Sequence, residues 1–201
     1  WRKVDLAASR GSMTINGELV GEGHGSDVMG HPLEPLVWLA NMLAKRGVKR
    51  AALVPPPDNL TYARHMKAGF ATGLREHGMQ QVALDTVTVD DTLDTIQAGV
   101  YEIMRGPGRP DGIVCGSGGA AIAASAGIEQ AGLQIGRDVQ IVSKQHTNIL
   151  KRYRSGIEVI NEDVRQGVRD LATCVIRSIE GVPADELHFL SYPDDPADPP
   201  G

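Results

Sequence analysis

The chain has 201 residues, 41% of them hydrophobic but only 4% aromatic, with 24 glycines and a formal net charge of −5. That length fits one large domain or two small ones, and aliphatic, Ala and Gly residues in place of aromatics are the composition of α/β layers. The acidic balance argues against a nucleic-acid surface in this segment, because phosphate binding calls for clustered Lys and Arg, and no apolar run reaches the ~20 residues that span a bilayer.

The two cysteines, Cys115 and Cys174, have neither Cys-x-x-Cys spacing nor a His cluster beside them, and read as reduced core thiols of a cytoplasmic protein. The sequence begins at Trp1 with no initiator methionine and no secretory signal, and reads as a piece of a longer protein.

Taken in chain order, residues 1–30 carry Gly11, Gly17, Gly21, Gly23, Gly25 and Gly30 without a helical period and read as loops with a short strand around Ile15–Val20. From Glu34, the apolar positions Leu36, Leu39, Ala40, Leu43 and Ala44 recur at helical spacing, and Gly47 closes that helix. Ala51–Val54 is a short buried strand stopped by Pro55-Pro56-Pro57, with Asp58 or Asn59 available to cap a helix over Thr61–Glu76 that ends at His77-Gly78. A strand over Gln81–Val87, a polar turn at Asp90-Asp91 and a helix through Ile96, Val100, Ile103 and Met104 follow, broken at Gly106-Pro107-Gly108. Next come the strand Gly112–Cys115, an Ala-rich helix, the strand Val139–Ser143, the strand Gly156–Ile160 and a helix over Glu162–Glu180 stopped by Gly181-Val182-Pro183. Strands alternating with helices over short connections predict a doubly wound parallel sheet. The tail at 193–201 is too rich in Pro and Asp to order itself.

The strand-to-helix turn at Gly116-Ser117-Gly118-Gly119 is where open α/β sheets bind ligands, because backbone N–H groups at a helix start favour acceptors. Ser117 has three readings there: a ligand contact, a plain helix cap, or a nucleophile. The nucleophile elbow G-x-S-x-G fails at its first position, which is Cys115, and no Asp and His follow in order. A dinucleotide loop would place its third glycine at Ala121 and has only Asp138 as an acidic partner. His24, His31, His65, His77, His146 and His188 show no spacing that suits a metal. Tyr62, His65 and Met66 open a helix that enters from a strand C-terminus: Tyr62 and Met66 either face a ligand or fill the helix–sheet interface, and His65 either faces the cleft or is solvated.

Several segments, in order and spacing, resemble the effector-binding core of the LacI/GalR family of bacterial transcription regulators. They are Leu43-Ala-Lys-Arg-Gly47 before Arg50-Ala-Ala-Leu53, Arg64-His-Met-Lys-Ala-Gly-Phe70 with Leu74 and Gly78, the unit from Pro110 to Lys144, and Asn161-Glu-Asp163 followed by Gly167 and Ile179-Glu-Gly181. The resemblance runs from about Val28 to about Tyr192. It implies an α/β fold of the periplasmic-binding-protein-like I type, with one near-complete subdomain and part of a second. Residues 1–33 would be an irregular remnant and 34–160 the C-terminal subdomain. Residues 161–192 would be a return helix and strand on the N-terminal subdomain, and 193–201 a disordered tail.

The implied function is the ligand-sensing and dimerisation core of a LacI-type repressor, which catalyses nothing and carries no cofactor or metal. A small-molecule effector would sit in the cleft between subdomains, and operator DNA would be met only through a helix-turn-helix absent from this chain. The protein would be a cytoplasmic homodimer with no membrane contact. A periplasmic sugar-binding protein of a transporter shares the cleft and stands as the alternative.

The resemblance puts Tyr62, His65, Met66, Ser117, Lys144 and Gln145 on the cleft wall. Sugar-binding relatives usually carry Arg where this chain has Met66, and many carry Asp where it has Gly118 and Lys144-Gln145; the Asp-Asn pair before the first helix reads His31-Pro32. A plain hexose therefore fits poorly, whereas Lys144 beside Gln145 and His146 suits an anionic or strongly accepting ligand, a sugar acid or related metabolite. For pairing, the resemblance points to the helix from Glu34, where Trp38 and Met42 stand one turn apart with Leu39 as an apolar neighbour, and to the edge at Gln81–Val87. The same residues could instead fill the monomer core.

Overall fold

A computed structural model of the chain describes residues 8, 10–24, 34–145, 149–161, 164–183 and 186–187. Near the start, β1 (Arg10–Ile15) and β2 (Glu18–His24) pair antiparallel, joined by Asn16-Gly17 with φ of 53° and 84°. Two successive positive φ angles make a type I′ turn, whose preferred sequence is Asn-Gly because only residues tolerant of the left-handed region fit it. The single strand expected over Ile15–Val20 is corrected accordingly: that stretch straddles the turn of a hairpin.

The remaining elements are α1 (Glu34–Lys45), β3 (Arg50–Val54), α2 (Thr61–Glu76), β4 (Gln80–Gln81), α3 (Leu93–Arg105), β5 (Gly112–Cys115), α4 (Gly118–Gln130), β6 (Gln140–Gln145), α5 (Ile149–Tyr153), β7 (Ile157–Asn161) and α6 (Val164–Ile179). β3 to β7 form a parallel sheet in the order β4-β3-β5-β6-β7, the doubly wound arrangement that the sequence predicts. The described residues fall into two compact units: β1, β2 and α6 with the residues after it in one, and Pro35–Asn161 in the other.

Alternation along each strand divides the core of the second unit between two faces. Ala52, Val54, Ile113, Cys115, Ile141, Ile157 and Val159 point to the side covered by α3, α4 and α5, where Ile96, Val100, Met104, Ala120, Ala124, Ile128 and Leu150 meet them. Ala51, Leu53, Val114, Val142 and Ile160 point the other way, to Leu43 of α1 and Met66, Phe70 and Leu74 of α2. The sheet is buried on both faces, which is why its strands read as continuous apolar runs.

Four helices end alike. At Gly47, the amide of Val48 donates to Leu43 O and that of Gly47 to Ala44 O, and the same two bonds recur at Gly78, Gly132 and Gly181, all with positive φ. This is the Schellman closure, which needs a residue at ease in the left-handed region.

Other expectations are corrected. The strand at Gln81–Val87 shrinks to Gln80–Gln81, after which the amide of Val82 still donates to Ala51 O and that of Val89 to Pro55 O. Between them the chain leaves the sheet because Leu84 and Val87 turn into the core, 6% and 3% exposed. Neither Asp58 nor Asn59 caps α2: its N-cap is Leu60 with no side-chain bond, and Asp58 pairs instead with Lys67 at 2.6 Å. α5 lies where no helix is expected from the sequence.

Candidate functional site

Strand order locates the most open place in the sheet. The chain leaves β3 for β4 on one side and returns across β3 to β5 on the other, so the crossovers diverge between the C-terminal ends of β3 and β5. In open α/β sheets such a switch point leaves a crevice where ligands bind. Here it is bordered by Val54 with Pro55-Pro56-Pro57 and by Cys115-Gly116-Ser117.

Gly116 allows the crevice floor to close up: a Cβ there would meet Met66 Cε and Val89 Cγ1 at 3.1 Å and Val54 O at 3.3 Å. Ser117 is the N-cap of α4, its Oγ accepting from the Ala120 amide at 3.2 Å. The amides of Gly118 and Gly119, in the same first turn, have no carbonyl one turn earlier to meet. The cap reading is thus realised, and it leaves the start of α4 facing the crevice edge with the partial positive charge of a helix N-terminus.

The adjoining strand end is tied to this turn by a residue that sequence reasoning did not single out. Ser143 of β6 is fully buried, and its hydroxyl lies 3.2 Å from Ser117 O, 3.1 Å from Lys144 O and 3.4 Å from Cys115 O. One hydroxyl proton shared among three carbonyls fixes the ends of β5 and β6 to one another. The signal was a lone hydroxyl inside an apolar strand, which has to find an acceptor. Asp111 was also missed. Its carboxylate accepts from the amide of Lys49 at 3.0 Å and from that of Arg50 at 2.7 Å, clamping the N-terminal ends of β3 and β5 at the far edge of the sheet.

The expected site residues are distributed as follows. Ser117 and Lys144 both stand at the C-terminal edge, each half-buried. Gln145 ends β6 opposite Asn161, and Tyr62 is the second residue of α2; the side chains of both, and His146, lie outside the described residues. His65 is half-buried on α2, while Met66 is 5% exposed and packs at Gly116, so it borders the crevice as part of its apolar floor. Of the pairing residues, Met42 is 8% exposed within the core on the α1 and α2 side, and the side chain of Trp38 lies outside the described residues. The Cys115 thiol, buried at the end of β5, is pushed up to about 12 by loss of solvent and stays protonated. Among the described residues no group of three His, Cys, Asp or Glu is placed to hold a metal, and no helix is long and apolar enough to cross a membrane.

A family model for the periplasmic binding protein-like domain matches residues 40–194. The chain is 30% identical over 114 residues to the HTH-type transcriptional regulator AglR of Rhizobium meliloti (strain 1021), a match that covers 55% of this chain and 31% of that regulator. The fold is that of a LacI family transcriptional regulator from Bifidobacterium animalis subsp. lactis DSM 10140, with a TM-score of 0.68 at 19% identity over 76% of this chain and 55% of that one. The Escherichia coli transcriptional repressor ascG gives a TM-score of 0.65 at 14% identity, over 76% and 55%. The chain belongs to the periplasmic binding protein-like domain family. Residues 40–194, which that family model matches, share their fold with the LacI-family regulators of known structure named above.

Two shorter similarities are to enzymes. One is 49% identity over 45 residues to the 2-hydroxyhexa-2,4-dienoate hydratase of Comamonas testosteroni, covering 22% of this chain and 17% of the hydratase. The other is 39% identity over 71 residues to the 4-oxalocrotonate decarboxylase of Pseudomonas putida, covering 29% of this chain and 27% of the decarboxylase. Neither spans enough of its enzyme to bring an activity with it.

Proposed function

We propose that Pro35–Asn161 is one wall of an effector cleft in a cytoplasmic LacI-type repressor, and that a small anionic metabolite binds along its C-terminal edge. The observation that carries this reading is the switch point between β3 and β5, which opens beside the N-terminus of α4 at Ser117 with Lys144 at the end of the next strand but one from β3. A helix start and an ammonium group on one edge favour a carboxylate or phosphate over a neutral sugar. Ser117, Lys144 and Gln145 would contact its polar groups, Tyr62 and His65 would reach it from α2, and Met66 would close the apolar floor. A sugar acid or phosphorylated sugar is the class expected.

In the whole protein, effector binding would shift closure of two subdomains and so the spacing of DNA-binding heads supplied outside this chain. Residues 34–160 are the C-terminal subdomain in this reading, with 161–192 crossing back to the other. The whole protein would pair as a homodimer through α1, around Trp38 and Met42. Because Met42 also packs in the core, Trp38→Glu is the cleaner test of pairing, with loss of the dimer in light scattering as the expected result. That AglR and the named structures of like fold are regulators favours this function over a transporter's binding protein.

A thermal-shift screen against sugars, sugar acids and phosphorylated sugars tests the reading. A ligand at 100 times its Kd should stabilise the chain by about 2.7 kcal/mol, and Lys144→Ala should weaken it more than tenfold while the unliganded melting temperature stays. Equal affinity in the variant removes Lys144 from the site.

A further inference from the structure

The ladder between β5 and β6 ends on the pair Cys115 and Ser143. Past this rung the two segments part: Lys144 and Gln145 continue β6 beside Ile160 and Asn161 of β7, whereas the chain leaves β5 through Gly116 for α4. Ser143 therefore stands at the fork between the two groups assigned above to the ligand, the first turn of α4 and the end of β6. Its side chain is fully buried. A hydroxyl in such surroundings costs free energy unless it is bonded, and alanine would fill the same place without that cost, so packing alone does not call for serine.

The hydroxyl reaches across the fork. On the α4 side it lies 3.2 Å from Ser117 O, which also accepts the opening bond of the helix from the Ala121 amide at 3.1 Å. On the β6 side it lies 3.1 Å from Lys144 O. The turn into α4 is tied on its other flank to β3, where Val54 O accepts from the Gly116 amide at 3.3 Å. Ser117 Oγ takes the Ala120 amide, which leaves those of Gly118 and Gly119 without an intrahelical acceptor.

We propose that Ser143 is a positioning residue of the effector site: its hydroxyl holds the first turn of α4 at a fixed separation from Lys144, and so sets the affinity for an anion that spans the two without touching it. This rests on the effector reading of the C-terminal edge. A turn released from Ser143 has to be ordered as the ligand binds, and ordering on binding lowers affinity. One neutral hydrogen bond removed from that preorganisation raises the Kd about two- to tenfold.

The test titrates the full chain with inorganic phosphate and follows the amide signals of Gly118, Gly119 and Lys144. Ser143→Ala should raise the Kd about two- to tenfold, and Ser143→Cys, with a weak S–H donor in the same place, should recover part of the loss. Asp111→Ala separates positioning from general stability, because it releases the β3 and β5 starts at the opposite edge of the sheet; it should unfold at lower urea yet keep the wild-type Kd. Should Ser143→Ala fail to fold, Ser143→Gly carries the same comparison. Binding by the Ser143→Ala or Ser143→Gly chain that matches wild type would overturn the inference and leave the site standing, and so would a loss of affinity shared equally by Asp111→Ala. Wild-type amides at Gly118, Gly119 and Lys144 that do not respond to phosphate would remove the anion site itself, and the inference with it.

Discussion

Ala in place of Gly127 should loosen the packing that holds Ser117 in position. Gly127 lies where α4 crosses α3, and a Cβ built on it would stand 2.6 Å from Gln97 O, 3.0 Å from the Tyr101 amide nitrogen and 3.1 Å from Val100 Cβ. The first two are backbone atoms, so no side chain can swing aside, and the helices must part by at least the 0.4 Å between 2.6 Å and the 3.0 Å limit of real Cβ contacts. Overpacking of this kind costs about 1–3 kcal/mol, and the better helix propensity of Ala returns only about 1 kcal/mol. Because the clash is with backbone, the cost falls at ~2–3 kcal/mol, and a net loss of ~1–2 kcal/mol follows, which at a urea m-value of ~2 kcal/mol/M lowers the midpoint by ~0.5–1 M. Gly167→Ala in α6 is the control: nothing lies within 4 Å of its Cβ position, so it should be neutral or slightly stabilising. Urea unfolding of the two variants beside wild type provides the comparison, and a Gly127→Ala chain with an unchanged midpoint would refute the close crossing.

Asp111→Ala removes an acceptor that takes bonds from the Lys49 and Arg50 amides, and should cost ~1–3 kcal/mol in the same assay; Ser117 is at the opposite edge of the sheet, so ligand affinity should hold. In the native chain at pH 8, a thiol reagent should modify Cys174 but not Cys115, whose pKa is raised to about 12 by burial, and unfolding in urea should release the second thiol. The carboxyls of Glu129, beside Arg154, and Asp138, beside Arg137 and the Gln134 amide, are both held below their ordinary values. A depressed folded-state pKa contributes stability above the unfolded value, so this share is complete above about pH 5 and is lost as pH falls through the depressed values. Both pairs are partly exposed, so the loss should be small and shrink with salt; an Arg154→Met chain with an unaltered acid limb would remove Glu129 from the explanation.

Much of the sheet was legible because strands buried on both faces have no choice of register pattern: Ile113-Val114-Cys115 and Ile141-Val142-Ser143 read as strands from apolarity alone. The terminating glycines were legible for a different reason, since a helical run that meets Gly before Val or Met has few other ways to stop. Gln81–Val87 misled because its apolar residues serve the core from a loop, and alternation cannot distinguish Leu84 and Val87 in a strand from the same residues dipping inward. The hairpin was hidden by Gly21 and Gly23, which weaken the strand pattern around an Asn-Gly turn that is itself a strong signal. For the site, a strand-to-helix turn made Ser117 visible, whereas Ser143 and Asp111 act on backbone atoms from other strands, contacts that exist only after folding.

The claim that a ligand sits at the C-terminal edge of the sheet is tested most directly by mapping amide shifts while the full chain is titrated with sugar acids and phosphorylated sugars. The account predicts that the largest shifts fall on Val54, Gly116–Gly119, Lys144 and Gln145, and that they vanish in a chain carrying Ser117→Ala and Lys144→Ala. Shifts confined to the opposite edge, around Lys49, Asp111 and Gln140, or a double variant that binds as wild type does, would contradict it.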